Sequence, residues 1–349
     1  MGAPCGVPPL ALDACHAYIA RHVTSPIANP APSVNTRPSL FDLQVNGFAG
    51  VDFQQPKLST AELRVAVDAL RAHSVHRFLL TLITANLGQM ADQLARIEAM
   101  RSSDPILAET IVGYHLEGPY LSSIEGYHGA HLPQLMRTPD TEEFAQLHAA
   151  AGGRIRLLTL APELPGSTEL IRAARNADVL ISLGHTNANE AEIDAAIAAG
   201  ATLCTHLGNG VPSQLPRHDN VIQRLLARDE LTACFIADGL HLPPFVLRNL
   251  VRAKPAGKVI LTSDAMAAAG APPGRYTLGH VDVEVGSDGI VREPGKPNFA
   301  GSSLTLDRGV TNAAGWLGIS EASAWELGSA RVADLFGVTL PQIPVKEKA

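Results

Sequence analysis

The sequence predicts an α/β fold of the (β/α)8 TIM-barrel type. Short apolar runs recur along the chain, segments with helical periodicity separate them, and polar residues follow nearly every run. Aromatic residues are only 5% of the chain against 46% hydrophobic residues, so small aliphatic side chains must build the core, which is typical of helices packed on a parallel sheet. An open doubly wound sheet is the alternative, but it would concentrate the polar residues at one switch point.

Eight apolar runs are predicted to form the parallel strands. They cover residues 40–45, 76–84, 111–116, 154–161, 178–183, 201–206, 231–237 and 258–263. Helical periodicity separates them, as in residues 59–73, where Ser59 and Glu62 form a capping box, and in residues 189–199, which Asn189 caps. Gly200 directly after the second of these helices is a C-terminal signal.

Residues 274–298 break the alternation of strands and helices. The run VDVEV alternates, Ser-Asp-Gly gives a turn and IVRE returns, which predicts a β-hairpin appended after strand eight. Two helices, at 304–317 and 320–336, are predicted to follow.

One catalytic domain accounts for most of the chain. Residues 1–39 are predicted to be an N-terminal extension, with an amphipathic segment around 10–23 followed by a Pro- and Ser-rich linker. Residues 40–337 form the barrel domain, and residues 338–349 form a C-terminal tail.

Composition excludes several classes of partner. The formal charge of -7 and pI near 6.0 argue against nucleic-acid binding, and the scattered Lys and Arg residues form no polybasic membrane patch. No apolar run approaches the ~18 residues of a membrane span, and the N-terminus lacks the features of a signal peptide. The four cysteines show no CxxC spacing. These observations predict a cytoplasmic enzyme without a nucleic-acid or membrane partner.

Four polar residues at strand ends form the candidate catalytic set. Glu117 in HLEGP, His185 in SLGHTNA and His206 in CTHLGNG supply one carboxylate and two imidazoles, a zinc-type ligand set with an open fourth position. Either histidine alone would more often be structural, but the three together predict a metal site. Asp264, in LTSDA at the end of strand eight, is the predicted proton shuttle, with Glu163 in TLAPE as the next candidate.

Gln44 and Asn46 at the end of strand one determine the predicted number of metal ions. A His-x-His pair at this spacing would supply ligands for a second metal, but amides are poor zinc ligands. The sequence therefore predicts one metal, with both amides acting as hydrogen-bonding groups. A plain Asn-Gly turn is the alternative interpretation.

Eight motifs in order resemble the N-acetylglucosamine-6-phosphate deacetylase family of the amidohydrolase superfamily. The resemblance spans residues 40 to 312 or so and implies a metal-dependent barrel that removes acetate from an N-acetylated amino-sugar phosphate. The motifs are DLQVNG (42–47), HLEGP (115–119), GAH (129–131), GHTNA (184–188), THLGNG (205–210), DGLH (238–241), SDAMAAAG (263–270) and AGSSLT (300–305).

This resemblance implies roles for individual residues. Glu117, His185 and His206 match the family's metal ligands, and Asp264 matches its catalytic acid/base. Arg217 falls where the family has a phosphate-binding arginine that reaches the neighbouring subunit, which implies a homodimer; a capped helix start is the alternative there. The positions that match substrate-binding residues are Ala130, His131, Asn209, Gly210, Leu240, His241, Phe299, Ala300 and Gly301.

The chain also departs from the family. Gly208, Gly210 and Val211 replace larger residues after the sixth-strand histidine, which could widen the pocket and shift the sugar preference. The family's small β domain, built from both termini, is predicted to be reduced or absent.

The predicted function is metal-dependent hydrolysis of the N-acetyl group of N-acetylglucosamine 6-phosphate. The ligand set favours Zn²⁺, although Fe²⁺, Mn²⁺ and Co²⁺ accept the same ligands. Two alternatives stay open: deacetylation of another substrate, such as N-acetylgalactosamine 6-phosphate, an unphosphorylated N-acetyl sugar or an N-acyl amino acid, and an inactive sugar-binding barrel.

Overall fold

The computed structural model describes residues 35–295 and 299–345. The predicted amphipathic segment, most of the linker and the last four residues of the tail lie outside the described residues. Contacts divide the chain into a large unit, residues 38–343, and a small unit. In the small unit, the backbone N–H of Val345 donates to the Asn35 carbonyl at 2.8 Å.

Eight parallel strands form the main sheet, which confirms the predicted fold class. They lie side by side in chain order, from the strand Leu40–Val45 to the strand Val259–Thr262, and a parallel bridge between Val45 and Ala265 brings the last strand to the first. The strands are β1 (Thr36–Pro38), β2 (Leu40–Val45), β3 (Gly47–Phe48), β4 (Val51–Asp52), β5 (Val75–Ile83), β6 (Ile111–Glu117), β7 (Ile155–Leu160), β8 (Leu180–Leu183), β9 (Leu203–Cys204), β10 (Thr232–Ile236), β11 (Val259–Thr262), β12 (Gly274–Leu278), β13 (Val281–Val285), β14 (Val291–Arg292) and β15 (Gln342–Pro344).

Helices connect the barrel strands and begin at the predicted caps. Ser59 and Asn189 each form a complete capping box, with Glu62 and Glu192 respectively, and Gly200 ends its helix at φ +121°. A short 3-10 helix covers Pro133–Leu135. The α-helices are α1 (Thr60–Ala72), α2 (Leu87–Ser103), α3 (Pro105–Thr110), α4 (Thr141–Ala150), α5 (Ser167–Asn176), α6 (Glu190–Ala199), α7 (Val221–Leu226), α8 (Pro244–Ala253), α9 (Leu306–Leu317), α10 (Glu321–Leu327) and α11 (Ala330–Phe336).

A hydrogen-bonded layer inside the barrel joins four neighbouring strands. The Thr205 hydroxyl lies 2.6 Å from the Ser182 hydroxyl and 2.8 Å from the Thr159 hydroxyl, which lies 2.8 Å from His115 Nε2. Because every member is buried, this chain satisfies polar groups that would otherwise be costly to bury. It fixes the strands that carry the polar residues at the carboxyl ends of β6, β8 and β9.

The number of elements needs correction in two places. The insertion after strand eight is a three-stranded antiparallel sheet rather than a hairpin, because residues 274–278 pair with the predicted strand 281–285. The predicted helix 320–336 is two helices, α10 and α11. It breaks because the Gly328 carbonyl accepts from the Phe41 N–H at 2.9 Å and the Ser329 hydroxyl donates to the Ser39 carbonyl at 2.6 Å.

Within residues 35–295 and 299–345, no helix is long and apolar enough to cross a membrane. Of the four cysteines, Cys5 and Cys15 lie outside the described residues, and Cys204 and Cys234 are free and buried.

Candidate active site

The carboxyl ends of the barrel strands open into a cavity of about 760 Å³. This is the end of a (β/α)8 barrel at which the loops after the strands carry catalytic residues. The cavity is lined by strand-end residues and by the loops after β6, β9 and β10. Its position agrees with the active-site end that the sequence predicts.

Three ligand-type side chains meet in this cavity: Glu117, which ends β6, and His185 and His206, which follow β8 and β9. Their candidate ligand atoms all lie within 4.8 Å of one another, and the three residues are buried. Glu117 Oε1 lies 3.1 Å from His206 Nε2 and 3.4 Å from His185 Nε2, and the two Nε2 atoms are 3.1 Å apart. A carboxylate and two imidazoles suit zinc and related divalent cations, so the cluster could hold one.

The chemistry of these donors fits a cation. His185 Nδ1 donates to the Tyr127 carbonyl at 2.8 Å, so His185 Nε2 carries a lone pair. That lone pair faces Glu117 Oε1, which is also an acceptor. Two buried acceptors that face each other are unfavourable unless a positive charge lies between them. The carbonyl of Tyr127 is thus an outer-shell partner that orients a potential ligand.

Two glycines let the surrounding loops approach the His185 ring. A Cβ atom at Gly129 would lie 2.9 Å from His185 Cε1, and a Cβ atom at Gly210 would lie 3.0 Å from His185 Nδ1. Both glycines also have positive φ, +57° and +63°. Any larger residue at either position would push the ring away from the cluster.

The backbone is strained at three of the four predicted catalytic positions. His185 and Asp264 both have φ +51°, and His206 has φ +28°, in the left-handed region that non-glycine residues rarely adopt. Such strain costs of order 1–3 kcal/mol per residue and persists where the surrounding structure enforces it, often at active sites. The strand-end turns aim these three side chains into the cavity at an energetic cost.

The cluster holds Glu117 in its ionised form. Burial alone would raise the pKa of this carboxyl, but the adjacent imidazoles of His185 and His206 hold the pKa of Glu117 well below its usual range. An ionised carboxylate is the form that binds a metal.

Asp264 lies beside the cluster and is held by the two amides of strand one. Its Oδ1 accepts from Gln44 Nε2 at 2.9 Å and from Asn46 Nδ2 at 2.8 Å. Gln44 Nε2 also donates to Glu117 Oε1 at 2.9 Å. Burial, with the charge of Glu117 adding to it, raises the pKa of Asp264 to about 8. A carboxyl with such a pKa can both take up and release a proton near neutral pH.

His131 presents a hydrogen-bond donor to the same region. His131 Nδ1 lies 2.9 Å from the Thr84 hydroxyl and 3.4 Å from the Thr84 backbone N–H, which can only donate; with Nδ1 as the acceptor, the ring proton is on Nε2. His131 Nε2 lies 3.7 Å from Glu117 Oε2 and lines the cavity. Burial lowers the pKa of His131 to about 3, so the ring is neutral at pH 7. A neutral imidazole N–H can donate to a developing oxyanion.

His241 is oriented at the cavity wall by a carboxylate. His241 Nδ1 lies 2.6 Å from Asp238 Oδ2, and the other Asp238 oxygen accepts the backbone N–H groups of Leu240 and His241. The His241 ring also packs edge-on against Phe299, at 5.0 Å between centroids. Asp238 thus fixes the orientation of a histidine that lines the cavity.

Glu163 makes a separate contact that orients the His185 turn. Its carboxylate accepts from the Thr186 hydroxyl and, at 2.8 Å, from the backbone N–H of Asn187. Both oxygens therefore hold the two residues that follow His185. This occupation makes Glu163 a weaker candidate than Asp264 for proton transfer.

The structure brings most of the predicted site residues together around one cavity. Arg217 is exposed, and neither it nor Leu240 nor the buried Ala300 lines the cavity. No lysine or arginine is found among the described lining residues. Besides the four catalytic candidates, the predicted residues that line it are Asn46, Ala130, His131, Asn209, Gly210, His241, Phe299 and Gly301.

Sequence reasoning did not single out several lining residues. Glu125 and His128 lie on the long loop after β6, and Ile83 and Leu278 supply apolar surface. Ile83 is the penultimate residue of the predicted run 76–84 and could have been found as a strand-end position. Leu278 belongs to the insertion, and nothing in its local sequence indicates that it reaches the cavity.

Comparison with curated proteins finds close relatives along most of the chain. The N-acetylglucosamine-6-phosphate deacetylase of Bos taurus is 38% identical over 314 residues, covering 86% of this chain and 74% of that protein. The N-acetylgalactosamine-6-phosphate deacetylase of Escherichia coli O157:H7 is 33% identical over 301 residues, covering 86% of this chain and 78% of that protein. No family model matches the chain.

Comparison with solved structures gives a similar result. A mutant N-acetyl-D-glucosamine-6-phosphate deacetylase from Mycobacterium smegmatis, in complex with N-acetyl-D-glucosamine-6-phosphate, superposes with a TM-score of 0.80 at 30% identity. The match covers 90% of this chain and 81% of that one.

Proposed function

Because the chain belongs to the N-acetylglucosamine-6-phosphate deacetylase family of amidohydrolases, we propose that it hydrolyses the N-acetyl group of N-acetylglucosamine 6-phosphate to glucosamine 6-phosphate and acetate. The observation that carries this proposal is the buried cluster of Glu117, His185 and His206 beside Asp264 in a single cavity. An acetamide needs both an activated carbonyl and a proton for its departing nitrogen. A cation held by the cluster would activate the carbonyl, and Asp264 would supply the proton.

Glu117, His185 and His206 are the proposed ligands of one divalent cation, most favourably Zn²⁺. Bound there, the cation supplies Lewis-acid polarisation of the acyl carbonyl and makes water more acidic. Asp264 accepts the proton of the attacking water as the C–O bond forms, and delivers it to the sugar nitrogen as the C–N bond breaks. The His131 Nε2–H donates to the carbonyl oxygen as negative charge develops on it.

The proposed enzyme binds about one equivalent of metal per chain. Gln44 Nε2 already donates to both Glu117 and Asp264, so an N–H group occupies the place where a second cation would need a ligand. Elemental analysis of protein dialysed with excess Zn²⁺ should therefore give close to one equivalent, and chelation should remove the activity. Two tightly bound equivalents would contradict the mononuclear site.

A panel of substrates tests the proposed function. Acetate release is measured with metal-reconstituted enzyme on N-acetylglucosamine and N-acetylgalactosamine, each with and without the 6-phosphate. We expect the highest kcat/KM for N-acetylglucosamine 6-phosphate. Absence of acetate release from every substrate would favour the inactive sugar-binding barrel instead.

N-acetylgalactosamine 6-phosphate is a second candidate substrate. Gly208, Gly210 and Val211 all line the cavity after β9, at positions where the family resemblance has larger residues. A Cβ atom at Gly208 or Gly210 would meet Leu242 or His185, so any added room for a different sugar epimer lies at Val211. The Escherichia coli relative named for this substrate is 33% identical. A higher kcat/KM for N-acetylgalactosamine 6-phosphate in the same panel would make it the preferred substrate. The proposed deacetylation chemistry would be unchanged.

Arg217 is the proposed phosphate ligand, acting across the interface of a homodimer. The described cavity residues supply no arginine or lysine, whereas Arg217 is exposed on the loop after β9. A guanidinium can form paired, charge-assisted hydrogen bonds with a phosphate, worth roughly 1.5–3 kcal/mol. Arg217→Ala should raise KM about 10- to 100-fold for the 6-phosphorylated substrate and change it little for an unphosphorylated analogue.

Mixed chains test the cross-subunit part of this prediction. When Arg217→Ala and Asp264→Asn chains exchange, one site of each mixed dimer lacks both groups and the other site is complete. Activity should therefore be partly restored. No restoration in dimers shown to have exchanged would place Arg217 in its own subunit's site or outside the site.

We also propose that the barrel domain spans residues 40–337 and that the small β domain is reduced, as the sequence indicates. A cytoplasmic location is likewise proposed, and it agrees with Cys204 and Cys234 being free thiols.

A further inference from the structure

We propose that Ile83 and Leu278 form an acyl pocket that contacts the methyl group of the substrate and restricts the enzyme to short acyl chains. This inference rests on the proposed function, because it concerns the acyl group that the deacetylation removes. It adds a determinant of acyl-chain specificity to the metal and proton-transfer residues.

Ile83 lies directly beside the metal cluster. It is the last residue of β5, and its Cα is the register partner of Glu117 on β6. Its backbone N–H donates to Gln54 Oε1 at 3.1 Å, while Gln54 Nε2 donates to the Thr81 carbonyl at 2.9 Å. These bonds fix Ile83, which is partly buried and lines the cavity, next to the reacting group.

Leu278 reaches the same side of the cavity from the insertion, at the end of β12. Asp52 Oδ2 accepts from the Thr277 hydroxyl and from the Gly279 N–H, both at 2.9 Å, and so anchors both neighbours of Leu278. A Cβ at Gly279 would lie 3.5 Å from Ile83 Cδ1, which is ordinary contact distance. Leu278 is 3% exposed and packs in one apolar cluster with Ile83.

The aliphatic pair of Ile83 and Leu278 lies on another side of the cavity from the polar loop residues Asn209 and His241. Asn209 and His241 belong to the loops after β9 and β10, whereas Ile83 and Leu278 lie on the side of β2 and β5. The carbonyl carbon of the substrate carries an oxygen, the sugar nitrogen and a methyl group. Sugar hydroxyls buried against aliphatic side chains would lose hydrogen bonds to water. The side with Asn209 and His241 therefore suits the sugar, and the side with Ile83 and Leu278 suits the methyl group.

The anchored insertion also sets the size of this pocket. Partly buried hydrogen bonds hold the Ile83 backbone and both neighbours of Leu278, so neither residue can move aside cheaply for a longer chain. One additional methylene in a tight apolar pocket typically changes kcat/KM by about 10- to 200-fold. The wild-type enzyme should therefore prefer N-acetyl over N-propionyl glucosamine 6-phosphate by at least about tenfold.

The experiment measures free amine released from N-acetyl, N-propionyl and N-butyryl glucosamine 6-phosphate by metal-loaded enzyme. Ile83→Ala and Leu278→Ala should each reduce the acetyl-to-propionyl ratio of kcat/KM by about tenfold. Ile83→Val, which removes one methyl group, should give an intermediate ratio and covers the case in which an alanine variant does not fold. Val211→Ala is the matched control, because Val211 lines the same cavity on the polar side; its acetyl-to-propionyl ratio should equal that of the wild type.

Three outcomes are distinguishable. A lower acetyl-to-propionyl ratio of kcat/KM in the Ile83 and Leu278 variants, with the wild-type ratio kept in Val211→Ala, supports the acyl pocket. Unchanged ratios in the Ile83 and Leu278 variants, while the wild type still releases acetate, overturn the acyl pocket and leave the proposed function standing. No amine release by the wild type from any of the three substrates removes the proposed function and the acyl pocket together.

Discussion

Asp264→Asn is expected to lower kcat by about 10²–10⁴-fold, the range typical of a lost general acid/base. The asparagine side chain keeps an oxygen that can accept from Gln44 and Asn46, which hold Asp264 Oδ1 at 2.9 and 2.8 Å. The local geometry should therefore survive, and only the capacity to carry a proton is lost. Steady-state kinetics should show a large fall in kcat with little change in substrate binding.

Two controls accompany this variant. Its metal content should match that of the wild type, because Asp264 is not among the proposed ligands. Glu163→Gln should retain most of the turnover, since the Glu163 carboxylate is occupied by Thr186 and Asn187. Near-normal turnover in Asp264→Asn, with a large loss in Glu163→Gln, would transfer the proton-shuttle role to Glu163.

His206→Ala is expected to remove the metal and, with it, almost all turnover. The imidazole contributes one of the three proposed ligands and lies 3.1 Å from Glu117 Oε1. Loss of an outer-shell partner alone typically costs about 10- to 100-fold in metal affinity, and loss of a ligand should exceed that. Elemental analysis after dialysis, with circular dichroism to confirm folding, measures the effect.

The comparison of His206→Ala with Asp264→Asn separates metal binding from proton transfer. Both variants should be nearly inactive, but only His206→Ala should lose metal. A folded His206→Ala protein that retains a full equivalent of metal would exclude His206 as a ligand.

The barrel could be predicted because its signals are local. Buried parallel strands appear in the sequence as continuous apolar runs, and capping residues such as Ser59 and Asn189 mark where helices begin. The ends of the strands were less predictable where the backbone turns sharply at a candidate site residue. The sixth barrel strand shrinks from the predicted 201–206 to Leu203–Cys204, because the chain must turn before His206, which has φ +28°.

The helix break at residues 328–329 has a tertiary cause. Gly328 and Ser329 bond to the start of β2, which is distant in sequence, so local helical periodicity could not reveal the break. The third strand of the insertion was missed for a related reason. Residues 274–278 show no clear alternation of buried and exposed positions, and their strand depends on pairing with β13.

In the candidate site, too, some residues have a local sequence signal and others depend on tertiary contacts. Glu117, His185, His206 and Asp264 could be selected because each is a chemically distinctive residue at the end of an apolar run. The Tyr127 carbonyl that orients His185 is a backbone group, and Leu278 is an ordinary aliphatic residue in an insertion. Sequence patterns carry no signal for such contacts, which arise only from the folded loops.

The most direct measurement of the central claim is acetate release from N-acetylglucosamine 6-phosphate by protein depleted of metal and then titrated with Zn²⁺. The proposed site predicts no turnover without metal, and activity that rises with added Zn²⁺ to a plateau at one equivalent per chain, with one glucosamine 6-phosphate formed for each acetate. Undiminished turnover in the fully depleted protein, or none at any Zn²⁺ concentration, would contradict it.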